Sequence, residues 1–71
     1  MSVYKHTRSS GQRLTYEIEY SDDEYFIERD GIMKKTVADG ILIGIPPGEA
    51  KADWMLRTAI KDIELLIGMD E

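Results

Sequence analysis

The sequence predicts an α+β fold with two layers: a three- to four-stranded antiparallel sheet in β-β-β-β-α order, with one long C-terminal helix packed across it. Three observations predict it. Residues 13–20 alternate strictly between polar and apolar, the Asp30-Gly31 and Asp39-Gly40 pairs punctuate the chain as turns, and apolar residues from Ala52 onward recur every three or four positions.

The elements follow in chain order. Residues 1–12 show no sustained period, carry Lys5 and Arg8 without an acid, and close in Ser-Ser-Gly, so they are expected as a flexible basic N-terminal arm. Val3 and Tyr4 offer the alternative of a short edge strand. Residues 13–69 are expected to form the single domain. In its first strand Leu14, Tyr16, Ile18 and Tyr20 point one way and Arg13, Thr15, Glu17 and Glu19 the other. Ser21-Asp-Asp-Glu24 forms a turn through side-chain bonds to its own backbone. A second strand runs from Tyr25 to Asp30, with Tyr25 and Ile27, or else Phe26, inside. Asp30-Gly31 is a hairpin signal because glycine accepts the positive φ of a tight turn. Ile32 to Ala38 is the third strand, and its adjacent Lys34 and Lys35 suit a sheet edge. After Asp39-Gly40, the Ile41–Ile45 run reads as a strand covered on both faces, with Gly44 marking a bulge or close approach.

Pro46-Pro47 ends that strand. Pro47 is favoured as the first helical residue, with Glu49 in the first turn, while Asp53 offers a later N-cap. The helix buries the stripe Ala52, Met55, Leu56, Ala59, Ile60, Ile63, Leu66 and Ile67, turning Lys51, Arg57, Lys61, Asp62 and Glu64 outward. Gly68 is placed for a left-handed C-cap, and residues 70–71 are expected as a disordered acidic end. Trp54 and Leu65 lie off the stripe and widen the apolar surface beyond what one small sheet covers.

Composition limits the functions available. The chain has 71 residues, no cysteine and a formal charge of -5. It has no thiolate nucleophile and no Cys-ligated metal, and no run is long enough to span a bilayer. With no signal-peptide pattern at the start, a cytoplasmic location is the default expectation. A domain this small hides only about 60% of the surface of its extended chain. Without disulfides, a second copy is the simplest remaining source of stability, and a homodimer or higher oligomer is expected.

Charge is uneven: residues 1–14 carry +3, residues 15–30 carry -6 and residues 31–71 carry -2. Glu17, Glu19, Asp22, Asp23 and Glu24 form an acidic patch, read as a solvated hairpin or as a dock for an electropositive protein. The spacing of Asp22, Asp23 and Glu24 fits no calcium loop, and no metal site or cofactor is expected. The acidic field around Tyr16, Tyr20, Tyr25 and Phe26 repels phosphate, so no nucleic-acid partner is expected.

Catalytic signals are sparse. His6 lies in the expected arm, and no serine has a nucleophile-elbow setting. Residues 40–48 lack the lysine and hydroxyl of a phosphate loop. Glu17 and Glu19, about 6.6 Å apart along a strand, share a face with nothing to raise either pKa. The expected function is therefore a small non-catalytic interaction protein, self-associating through Trp54, Arg57, Leu65 and Ile43 and presenting the acidic hairpin or basic arm to a protein partner. The alternative is a small-molecule binder or small enzyme with its site at a homo-oligomer interface, where Tyr16 or Tyr20 meets Arg13 or Arg57.

Overall fold

The computed structural model describes residues 2–38 and 50–71. The chain runs β1 (Ser2–Thr7), β2 (Thr15–Tyr20), β3 (Glu24–Arg29), β4 (Ile32–Ala38) and α1 (Lys51–Leu65). The strands form one antiparallel sheet in the order β1-β2-β3-β4, so each pairs with its neighbour in sequence. The α+β architecture read from the sequence is present, in the order β-β-β-β-α.

The alternation in β2 dictates its two faces. Tyr16 and Ile18 are fully buried, and on β3 Tyr25 and Ile27 join them. With Val37 of β4 and Ala59 and Ile63 of α1 these residues make the core, flanked by Leu14, Tyr20, Leu56, Ile60 and Met69. The helix lies over the central strands β2 and β3. The register sets Ile18 opposite Ile27 and Tyr20 opposite Tyr25 on the helix side. On the other side Glu17 stands opposite Glu28, and Glu19 opposite Phe26. A bulge at Ile27/Glu28 interrupts the β3–β4 ladder, so Ile27 pairs with Lys35 and Glu28 with Met33. This explains the poor alternation of β4.

The Asp30-Gly31 hairpin is as expected. Both residues have positive φ, 52° and 78°, joining the Arg29–Ile32 pair in a two-residue turn.

Several expectations are corrected. Residues 2–7, read as a flexible arm, are the edge strand β1, paired from Ser2–Tyr20 to Thr7–Thr15. This strand buries almost nothing, with only His6 half-buried, so it has no apolar period for the sequence to display. The helix begins at Lys51 with Ala50 as N-cap, later than Pro47 and earlier than Asp53 would set it, and no side chain caps it. Its left-handed C-cap is Leu66, at φ 53° and ψ 47°, not Gly68. Gly68 makes a second left-handed turn two residues later, at φ 70°. At the 70–71 end, Lys34 forms an ion pair with Asp70 and Arg8 with Glu71. The Asp39-Gly40 turn, the Ile41–Ile45 strand with Ile43 and Gly44, and Pro46, Pro47 and Glu49 lie outside the described residues. No described helix is long and apolar enough to cross a membrane.

Candidate functional site

Two polar clusters tie the helix to the sheet. The first is buried. Asp62 sits seven residues after Met55 and one before Ile63, inside the buried stripe of α1, and is 3% exposed. It accepts a hydrogen bond from the Tyr25 hydroxyl, and the Lys35 ammonium bonds the same carboxylate oxygen at 2.7 Å. Lys35 also donates to the Ile67 carbonyl at 3.0 Å, satisfying an acceptor just beyond the helix end. Burial, then the hydrogen bond and negative charge of Asp62, push the Tyr25 phenol well above its ordinary pKa of 10. A carboxylate and an ammonium of opposite charge allow this buried position because each neutralises the other.

The second cluster gathers His6, Arg8 and Ser9 of the N-terminal segment onto the end of the helix. Arg8 donates from Nε to the Ile63 carbonyl at 3.0 Å and from Nη2 to the Glu64 carbonyl at 3.2 Å. Its Nη1 reaches Glu71 at 2.9 Å. A guanidinium is well suited to this position: its planar fork meets the unpaired carbonyls, and its charge opposes the negative end of the helix dipole. Glu64 accepts from His6 Nε2 at 2.7 Å, from the Ser9 N–H at 3.0 Å and from the Ser9 hydroxyl. The Ser9 hydroxyl, followed by His6, holds the Glu64 carboxyl down to about 2 from an ordinary 4.5. Ser9 and His6 both bond the carboxylate. A hydrolytic triad instead places the imidazole between hydroxyl and acid, so this arrangement clasps two elements together and activates no nucleophile.

Asp62 and Glu64, assigned to the outward side of the helix, are thus corrected to inward-facing and clasped positions. The missed pairing had a signal. Lys35 has the same strand parity as buried Val37, and Asp62 has the helical phase of Ala59 and Ile63. A cation and an anion, each at a core position of its own element, imply one another.

Among the described residues, no element covers the sheet face away from the helix. Across it run the rows Lys5–Glu17–Glu28–Met33 and Val3–Glu19–Phe26–Thr36. Glu17, Glu19, Phe26 and Glu28 are half-buried by their neighbours. At the β2–β3 tip Asp22 and Asp23 are exposed, while Glu24 begins β3 half-buried. The Ser21 hydroxyl donates to Asp23 at 2.7 Å, and the Ser21 N–H bonds the Glu24 carbonyl at 2.9 Å. The five residues of the acidic patch therefore divide: Glu17 and Glu19 on the face, Asp22, Asp23 and Glu24 at its end. A shallow concavity of about 420 Å³ lies beside them, bordered by Lys5, Glu17, Glu28, Arg29 and Asp30. Among the described residues, no three His, Asp or Glu side chains are grouped to hold a metal ion.

Trp54, Arg57 and Leu65 lie on the helix flank. Trp54 and Leu65 are three turns apart on one side, about 16 Å along the axis. The Arg57 guanidinium carbon is 6.0 Å from the Trp54 ring centroid, within cation–π range. A second shallow concavity of about 320 Å³ is formed by Trp54, Arg57, Thr58 and Lys61. The indole N–H is buried with no hydrogen-bond partner among the described residues, and Leu65 is 63% exposed.

The chain matches no protein-family model, and no curated protein or solved structure shows significant similarity to it.

Proposed function

We propose that the protein is a small non-catalytic interaction module that self-associates and offers its acidic sheet face and β2–β3 hairpin to an electropositive protein surface. The observation that carries this reading is the carboxylate-bearing sheet face, which no described element covers. Glu17 and Glu28 stand directly opposite one another across β2 and β3. Like charges so placed oppose sheet formation, by roughly 0.2–1 kcal/mol for a cross-strand pair. Lys5 flanks only Glu17. A lysine or arginine of a partner between Glu17 and Glu28 relieves that repulsion, and Phe26 in the adjacent row supplies apolar contact. The exposed Asp22 and Asp23 extend the same field toward an approaching cation.

Calorimetric titration with a ten-residue peptide alternating Lys and Val tests this reading. Binding is expected to weaken as salt rises, and Glu17→Gln with Glu28→Gln is expected to weaken it about tenfold or more. Affinity unchanged by the double substitution, or no binding at low salt, overturns it.

The concavity beside Glu17 and Glu28 favours a second reading. Lys5 and Arg29 face three carboxylates around it, a lining suited to a small zwitterionic solute. Because Lys5 belongs to the edge strand, a second copy paired there would border the site.

A further inference from the structure

Among the described residues the sheet has two edges, β1 and β4, and they differ. β4 is bulged against β3, and its Lys34 and Lys35 are engaged with Asp70 and Asp62. β1 has no bulge and no proline, carries one lysine, and exposes Val3 and Tyr4 at 56% and 44%. An unprotected, regular edge is a template for another strand.

Its hydrogen-bonding pattern follows from one contact. The Arg8 N–H bonds the Leu14 carbonyl at 3.0 Å, continuing the register in which Thr7 faces Thr15. Arg8–Leu14 is therefore a hydrogen-bonded pair, and strict alternation makes His6–Tyr16 and Tyr4–Ile18 hydrogen-bonded as well. The N–H and C=O groups of Val3, Lys5 and Thr7 then point away from β2, at the free edge. The Thr7 and Thr15 hydroxyls, 2.9 Å apart, agree with the closer side chains of a non-hydrogen-bonded pair.

We infer that β1 pairs antiparallel with β1 of a second copy, the two-fold axis passing at Tyr4, to give a continuous eight-stranded sheet. The inference rests on the self-association part of the proposed function and names its surface. Four centres of symmetry, from Val3 to His6, bring outward-facing groups together, and an axis at Val3 overlaps only Ser2 to Tyr4 of each strand. An axis at Lys5 sets two lysines directly opposite one another, which is unfavourable. An axis at His6 overlaps only Lys5 to Thr7 of each strand. With the axis at Tyr4, residues 2–6 of both copies overlap, Val3 faces the stem of the other copy's Lys5, and the two Tyr4 rings meet. Charge also favours this seam. The two lysines at the junction are flanked by Glu17 and Glu19 of each copy, whereas stacking the open faces would press carboxylates together. The partner is thus a second copy, joined edge to edge, with both acidic faces left free on the same side.

The chain has no cysteine, so single-cysteine variants read the register directly. Under mild oxidation the full-length Tyr4→Cys variant is expected to form a disulfide-linked dimer, because residues at the axis of a non-hydrogen-bonded pair lie within disulfide reach. Lys5→Cys is expected to cross-link far more slowly. Light scattering should give the wild type twice the 8.1 kDa chain mass. Lys5→Pro removes an outward N–H while leaving β1–β2 bonds intact, and the loss of one bond per copy should weaken the dimer about 10- to 100-fold. A doubled mass with no cross-link at Tyr4, or with faster cross-linking at Lys5, overturns the β1 seam and leaves self-association standing. A mass of 8.1 kDa at hundreds of micromolar overturns both.

Discussion

Asp62 shows how much one residue decides. Its carboxylate is reached by the Tyr25 hydroxyl and the Lys35 ammonium inside the sheet–helix interface. Replacing it with alanine leaves an ammonium and a phenol without their acceptor, and urea unfolding is expected to show a loss of about 2–4 kcal/mol. Replacing Asp62 and Lys35 together with leucine and methionine is expected to recover most of that loss, because two apolar groups leave no buried charge behind. The raised pKa of Tyr25 has its own signature. Stability from this phenol is full below the ordinary value of 10 and is lost as the solution becomes more alkaline. In an ultraviolet titration, Tyr25 is expected to ionise only as the protein unfolds. Glu64 acts in the opposite direction. Its pKa is depressed from 4.5 to about 2, so its stabilisation is full above pH 4.5 and disappears as pH falls toward 2. Acid unfolding of Glu64→Gln is expected to have a shallower slope across that interval than the wild type. These residues were poorly legible in the sequence. Acidic residues in a helix usually face water, and only the combined phase of Asp62 and parity of Lys35 distinguishes this pair.

At the scale of the elements, legibility followed burial. β2 and α1 show their period because one side of each is in the core, β3 leaves its face open because Phe26 stands between Tyr25 and Ile27, and the Asp30-Gly31 hairpin shows its chemistry because only particular residues accept two successive positive φ values. β1 lacks both signals. It is held by main-chain bonds to β2 and by side chains at its end, none of which imposes an apolar pattern. The helix ends were also obscure. Ala50 caps without a side chain, and Leu66 takes the left-handed turn, while the groups that satisfy the last carbonyls come from Arg8 and Lys35. An element capped by side chains 32 and 55 positions away has no local end signal. Arg8→Ala is therefore expected to cost about 1–3 kcal/mol and to raise amide exchange in β1 and the last turn of α1 together. Gly11 belongs to the same device. At φ 64° it lies against the Arg8 guanidinium and the Glu71 carboxylate, and an added Cβ would overlap both. Both groups are at the ends of flexible side chains and can yield. Gly11→Ala is thus expected to cost about 1–2 kcal/mol, chiefly from the backbone conformation, measured as a lower urea midpoint.

At the scale of the whole molecule, the described residues form a sheet with a helix on one face and carboxylates on the other. The sequence placed Glu17 and Glu19 on that outer face, because strand parity assigns faces once the core is known, whereas Glu28 followed only in the register that buries Tyr25 and Ile27. It also placed Trp54 and Leu65 off the buried stripe. It offered β1 only as an alternative short edge strand at Val3 and Tyr4, and so did not set Lys5 beside Glu17. A charge pattern can be read along one strand, but a neighbouring strand must be identified before its cross-strand partners are known. The opposed Glu17 and Glu28 give a prediction at this scale. Glu28→Lys replaces repulsion with attraction and is expected to raise stability by about 0.2–1 kcal/mol while abolishing binding of the basic peptide. Thermal unfolding and calorimetry on the same variant separate the two effects. The clasp of His6, Arg8 and Ser9 on Glu64 and Glu71 has a further, kinetic consequence. The β2–β3 and β3–β4 hairpins close over a few residues each, whereas His6 and Glu64 are 58 positions apart. Loop closure over that distance comes late, after the local hairpins and the docking of the helix have formed the folding nucleus. Substitutions in the clasp should therefore hasten unfolding and leave the folding rate nearly unchanged, giving φ-values near zero, while Ile27→Val in the central strand should slow folding. The contacts that join the two ends of the chain would then govern how long the folded state lasts, and the middle of the sheet how quickly it is reached.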